Sequence, residues 1–145
     1  MALIKEIESI NKNFREEIIE TEIKSAIRAT VTINKDALIK VADFLFNKLK
    51  LRFIIASALH TKRGFEIYYH FSNDLTGLVI NLHVVLPKQK PEIKTLTSLF
   101  EAANWIEREM HEILGINFIG HPNLEKLISE GNWAKGVYPY RHEDL

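Results

Sequence analysis

Residues 52–86 carry three strand segments divided by short turn signals, two of them with clear period-two alternation, and no other feature restricts the fold of this chain as tightly. Phe65, Ile67, Tyr69 and Phe71 alternate with other residues in 65–71, and Leu78, Ile80, Leu82, Val84 and Leu86 do the same in 78–86. Residues 52–60 read as a preceding strand. The links are Thr61-Lys62-Arg63-Gly64 and Ser72-Asn73-Asp74-Leu75-Thr76-Gly77, both rich in turn formers. Successive strand side chains point to opposite faces, and short links join antiparallel neighbours. The pattern therefore predicts a meander with one apolar face, which must be covered by a second layer.

Helical periodicity supplies that layer. Leu3, Ile7, Ile10, Phe14 and Ile18 recur at helical spacing and predict a first amphipathic helix. Ile27, Ala29, Val31 and Ile33 alternate with Arg28, Thr30 and Thr32, as in a strand with one polar face. Asn34 suits the N-cap of a second helix over 35–50, with Leu38, Val41, Ala42, Leu45 and Leu49 inward. A strand joined through a helix pairs by a crossover, so the sheet should be mixed. Pro87 and Pro91 bound a loop. Ser98 and Glu101 have capping-box spacing before a last helix, with Leu99, Ala102, Ala103, Ile106, Met110 and Ile113 inward and Gly115 as its stop. The expected fold is α/β (α+β): a two-layer sandwich, a mixed four-stranded sheet with helices on one face. The expected division is a single domain over 1–125 and an extended arm over 126–145. The polar sheet face, with Arg28, Thr30, Thr32, Glu66, His70, Asn81 and His83, is expected to be solvated.

At 145 residues and 46% hydrophobic, the chain can bury a core. Lys+Arg and Asp+Glu both number 19, so nothing favours nucleic acid, and zero net charge gives little protection against association. With no cysteine there is no disulfide, thiolate metal site, iron–sulfur ligation or thiol nucleophile. The first residues lack a signal-peptide pattern, and no apolar run approaches the ~20 residues of a membrane span. A soluble chain is expected, attached to a membrane only through a partner.

Chemistry concentrates at Glu107-Arg108-Glu109-Met110-His111-Glu112-Ile113-Leu114-Gly115, followed by Gly120-His121-Pro122. Glu107 and His111 have the i, i+4 spacing of helical metal ligands. Glu109, His111 and His121 define an alternative reading as a small stand-alone metal-dependent enzyme. Against it, Arg108 stands four residues from Glu112, and a carboxylate beside arginine is more often ionised and structural. No phosphate loop or nucleophile elbow is present. The tail holds Trp133, Tyr138, Pro139, Tyr140 and Arg141, rich in residue types of interface hot spots. It can dock on a partner or pack back on its own domain.

The run Phe100-Glu101-Ala102-Ala103-Asn104-Trp105-Ile106-Glu107-Arg108-Glu109, then Glu112-Ile113-Leu114-Gly115-Ile116-Asn117-Phe118 and Gly120-His121-Pro122-Asn123-Leu124, resembles the signature of the C-subunit family of NADH dehydrogenase. That is the 30-kDa-type component of respiratory complex I, whose domain recurs in membrane-bound nickel–iron hydrogenases and formate hydrogenlyases. The resemblance extends loosely from about Ala26 onward. It departs at Glu125, where the pattern favours a basic residue or Pro, and around 136–144, where the Pro, Arg and Asp spacing differs by one.

The resemblance implies a non-catalytic, cofactor-free peripheral-arm subunit of a complex I-like oxidoreductase, with an energy-converting nickel–iron hydrogenase preferred over an NADH:quinone oxidoreductase. Its implied partners are the large catalytic subunit, here as a separate chain, and a small iron–sulfur subunit. Its implied place is cytoplasmic, peripheral to the inner membrane through the complex. Glu107, Arg108, Glu109 and Glu112 are then expected to fix the helix end by ion pairs. His121 and Pro122 would set the exit of the following loop. Trp133, Tyr138, Pro139, Tyr140 and Arg141 would anchor the arm on the partner.

Overall fold

The computed structural model describes residues 4–124 and residue 141. Its elements in order are α1 (Lys5–Asn13), β1 (Ile18–Ser25), β2 (Arg28–Ile33), a 3-10 turn (Lys35–Ala37), α2 (Leu38–Asp43), a π turn (Phe44–Lys48), β3 (Arg52–Thr61), β4 (Gly64–Asn73), β5 (Leu78–Leu86), β6 (Glu92–Lys94), α3 (Ala102–Leu114) and β7 (Asn117–Ile119). A five-stranded sheet runs β1-β2-β5-β4-β3, and β6 and β7 form a small separate sheet. β1 and β2 are antiparallel while β2 and β5 are parallel, with Ala29 opposite Ile80 and Val31 opposite Leu82. The mixed α+β architecture follows the sequence expectation. Among the described residues, no helix is long and apolar enough to cross a membrane.

The fifth strand is a correction. The helical spacing that runs from Leu3 to Ile18 carries a helix only as far as Asn13, and 18–25 pairs along β2 instead. Ile18, Ile19, Thr21 and Ile23 are β-branched, which disfavours helix and suits a pleated surface. The second helix also departs from one regular run. Asn34 caps it as expected, its side chain accepting the Asp36 N–H at 3.1 Å. Past Asp43 the winding widens, with the Leu49 N–H reaching the Phe44 carbonyl at 3.0 Å. The widened turn changes the phase of the buried stripe, so Leu51 rather than Leu49 is fully buried.

Two compact units divide the chain. The first comprises 1–55 and 68–84, the second 56–67 and 85–145. In the first, Ile7, Ile10, Val31, Leu38, Val41, Leu45, Phe71 and Leu82 are buried. Phe14, just past α1, sets its ring edge-on to Phe44 with centroids 5.1 Å apart. The polar sheet residues of this unit are not simply solvated. Thr32 and His83 are buried, with Thr32 Oγ1 2.8 Å from His83 Nδ1. The His70 Nδ1–H donates to Asn81 Oδ1 at 2.6 Å, Asn81 donates to Thr30 at 3.3 Å, and Tyr68 stacks on His83 at 4.3 Å. Hydroxyl, amide and imidazole groups satisfy one another across strands, which is why they can leave water. In the second unit, Phe65, Ile67, Leu86, Leu96, Met110, Leu114, Ile116 and Phe118 are buried. Glu66 is buried there too, accepting from Thr61 Oγ1 at 2.6 Å.

Candidate functional site

The signature residues lie in the second unit, on α3 and the segments before and after it. The capping box does not form: Glu101 takes the N-cap with helical dihedrals, and no side chain caps the helix. The Leu96 carbonyl instead accepts the N–H groups of Leu99 and Phe100, both at 2.9 Å, and the Phe100 and Glu101 carbonyls accept those of Ala103 and Asn104 at 3.1 Å. A preceding turn thus feeds into α3 and takes up the donors a capping hydroxyl would have met. At the other end Gly115 stops the helix as expected, left-handed at φ 77°, with its N–H on the His111 carbonyl at 2.9 Å.

The buried residues of α3 are Ala103, Glu107, Met110, Glu112 and Leu114. Ala103, Glu107, Met110 and Leu114 form one stripe, rotated from the expected one: Ala102 is exposed, and Ile106, Ile113 and the preceding Leu99 are only partly buried. The rotation puts Glu107 inside, 1% exposed. Its carboxylate accepts the Thr95 hydroxyl at 2.5 Å and the Leu96 N–H at 2.8 Å. Burial pushes its pKa up to about 7, against the opposing pull of those hydrogen bonds. The expected ion-pair role is therefore replaced, for Glu107, by a hydrogen-bonded brace between α3 and residues 95–96.

The other signature groups are also engaged locally. The Arg108 guanidinium lies 6.0 Å from the Trp105 ring centroid, at the limit of a cation–π contact. Glu109 is partly buried on α3. The His111 Nδ1–H donates to the Ile116 carbonyl at 2.9 Å, across the Gly115 stop. His121 is held on both ring nitrogens: Nε2–H donates to the Asn104 carbonyl at 3.0 Å, and Nδ1 accepts the Asn123 N–H at 2.9 Å. Pro122 is exposed beside it. The alternative trio Glu109, His111 and His121 gathers no metal site: among the described residues no group of three His, Asp or Glu side chains could hold an ion.

A cleft of about 360 Å³ opens beside these residues, lined by Thr95, Thr97, Ser98, Glu101, Asn104, Gly120 and Pro122. β6 and β7 position its walls, pairing in parallel with Ile93 opposite Phe118, and the Thr95 N–H donates to the Ile119 carbonyl at 2.9 Å. The sequence reading missed Thr95, Thr97 and Asn104. The available signal was the place of Glu107, midway between Ala103 and Met110 on a helical stripe, which demands a buried partner for its carboxylate.

Trp133, Tyr138, Pro139 and Tyr140 lie outside the described residues. Arg141 is described and is bound to its own chain. Its Nε–H donates to the Leu114 carbonyl at 2.7 Å, and its guanidinium stands 4.9 Å over the Phe65 ring. A cation at the carbonyl end of a helix opposes the helix dipole and satisfies an orphan acceptor. Arg141→Ala should therefore lower stability by about 1–2 kcal/mol in urea unfolding. An unchanged midpoint would show that Arg141 does not brace α3.

Comparisons with known proteins identify the family and the fold. The family model described as "Respiratory-chain NADH dehydrogenase, 30 Kd subunit" matches residues 31–144. The chain is 32% identical over 140 residues to the C subunit of the F(420)H(2) dehydrogenase of Methanosarcina mazei, covering 94% of this chain and 88% of that one. It is 34% identical over 126 residues to the C/D subunit of the NADH-quinone oxidoreductase of Shigella flexneri, covering 78% of this chain but only 21% of that protein. Two solved structures share the fold. A trypsin-resistant fragment of Nqo5 matches with a TM-score of 0.65 at 21% identity, over 81% of this chain and 98% of that one. A chain of the membrane-bound sulfane sulfur reductase, an archaeal respiratory membrane complex, matches with a TM-score of 0.80 at 20% identity, over 94% and 82%. By the family match over most of its length, the chain belongs to the 30 kDa subunit family of respiratory-chain NADH dehydrogenase.

Proposed function

We propose that this chain is a non-catalytic subunit of the peripheral arm of a complex I-like oxidoreductase, docking on the large catalytic subunit, with a small iron–sulfur subunit as a second neighbour. The observation that carries the reading is how the signature is used. Glu107 and His111, the candidate ligand pair, and His121 of the alternative trio all bond within their own unit. A motif spent on bracing a helix and two turns builds a rigid surface rather than a reaction centre. The Shigella flexneri relative supports a docking role, because there the matching region is about a fifth of a longer chain named for both C and D.

Between the two branches, the Methanosarcina mazei relative favours a dehydrogenase over the hydrogenase preferred on the sequence signature, since the match covers nearly all of both chains. The complex would sit at the cytoplasmic face of the membrane, with this subunit peripheral. Co-purification tests the docking. The full chain should be retained by the large subunit, and a chain cut after Gly131 should bind about tenfold more weakly, a loss of about 1.4 kcal/mol. Arg141→Ala in the full chain serves as the control, because the cut also removes that internal brace. If the truncated chain binds as well as the full chain, the docking arm is refuted.

A further inference from the structure

We infer that the cleft beside the start of α3 receives a cationic side chain, lysine or arginine, from the large subunit. The inference rests on the docking reading above and adds where one contact is made and with what charge. The lining comprises Thr95, Thr97, Ser98, Asn104 and the carboxylate of Glu101, with no Lys, Arg or His among the described residues that form it, and the Thr95 and Thr97 hydroxyls are bonded to each other at 3.0 Å. Behind the Thr95 hydroxyl stands the Glu107 carboxylate, at 2.5 Å. The cleft is therefore rich in acceptors and, among the described residues, brings no cation of its own.

One effect opposes this. A helix N-terminus has roughly half a positive charge and favours anions. Here that half charge is outweighed. Glu101 brings a full negative charge to the N-cap itself, and the N–H groups of Ala103 and Asn104 are already taken by the Phe100 and Glu101 carbonyls. The occupant is a side chain rather than a bare metal ion because Glu101 is the one carboxylate in the described lining, and among the described residues no group of three His, Asp or Glu side chains gathers to hold an ion.

Charge reversal in the assembled complex tests the inference. Glu101 is exposed and caps nothing with its side chain, so Glu101→Lys and Glu101→Gln should melt close to the wild-type chain. At low salt, Glu101→Lys should weaken binding to the large subunit about tenfold and Glu101→Gln a few-fold, with the differences shrinking as salt rises. Glu8→Lys, an equal change of net charge on α1, should leave binding unaltered. Carbodiimide coupling of the wild-type complex should join Glu101 to a lysine where the occupant is lysine. Wild-type binding with Glu101→Lys equally tight overturns the inference and spares the docking reading; so does an equal loss with Glu8→Lys, which would mark a general charge effect. Failure of the wild-type chain to bind overturns the docking reading itself.

Discussion

Gly64→Ala should destabilise this protein by about 4 kcal/mol or more, while Gly77→Ala should cost only about 1 kcal/mol. Both glycines have positive φ, +129° and +79°, so each substitution meets backbone strain. What differs is the space. A Cβ on Gly77 would have no heavy atom within 4 Å, but one on Gly64 would stand 2.1 Å from the Leu86 carbonyl oxygen. That oxygen is backbone, so relief requires the start of β4 to move from its neighbour. Gly64 opens β4 directly after the Lys62-Arg63 link and precedes Phe65, the ring beneath Arg141. A shift there would also loosen the brace at the end of α3. Melting temperatures separate the effects, at about 3 °C per kcal/mol for a chain of this size. Similar drops for both variants would refute the close approach.

The same stretch shows what the sequence can and cannot reveal. Gly64, Asn34 and Gly115 announce themselves because each answers a local demand, a tight link, an N-cap or a left-handed stop. That the sheet is mixed was also legible, from the helical segment that separates β2 from the meander, but not that β5 is the parallel partner of β2. β1 was hidden because Ile18 continues the spacing of Ile7, Ile10 and Phe14, and only pairing with β2 decides between helix and strand. β6 and β7 have three residues each, too few to show a period. The capping box failed because a turn upstream, invisible in a Ser-x-x-Glu pattern, had taken the donors first. The signature was recognised by its resemblance to a family, but its geometry was not. Glu107 and Glu109 look alike in sequence, and only the fold shows that Glu107 shares the buried stripe of α3 with Ala103, Met110 and Leu114. The cleft is assembled from 95–98, 101–104 and 120–122, which no single window of sequence brings together.

Glu107 is where that hidden geometry has its largest measurable consequence. Its folded pKa of about 7 lies above the ordinary 4.5, so the folded state holds this proton more tightly than the unfolded chain. The resulting stabilisation is fully present below pH 4.5 and is lost as pH rises through about 7, by about 3 kcal/mol across that window. Glu107→Gln keeps an acceptor for the Leu96 N–H and removes the titration. Its stability should therefore gain on the wild type between pH 5 and pH 8, by up to about 3 kcal/mol. Glu107→Ala removes the acceptor at every pH, leaves the Leu96 N–H buried and unpaired, and opens a cavity, at a cost of about 3 kcal/mol near pH 5. That cost should shrink toward pH 8, because there the wild type itself carries the penalty of a buried charge. Urea midpoints for the three proteins across this range provide the check, and parallel curves for wild type and Glu107→Gln would refute a buried, titrating carboxylate. The functional weight of the result lies in what the carboxylate holds. Through its bonds to Thr95 and Leu96, Glu107 ties the wall of the cleft to α3. A cation arriving in the cleft would favour the ionised form of this brace, so docking and the pH dependence of Glu107 should be coupled, with the pKa falling when the partner is bound.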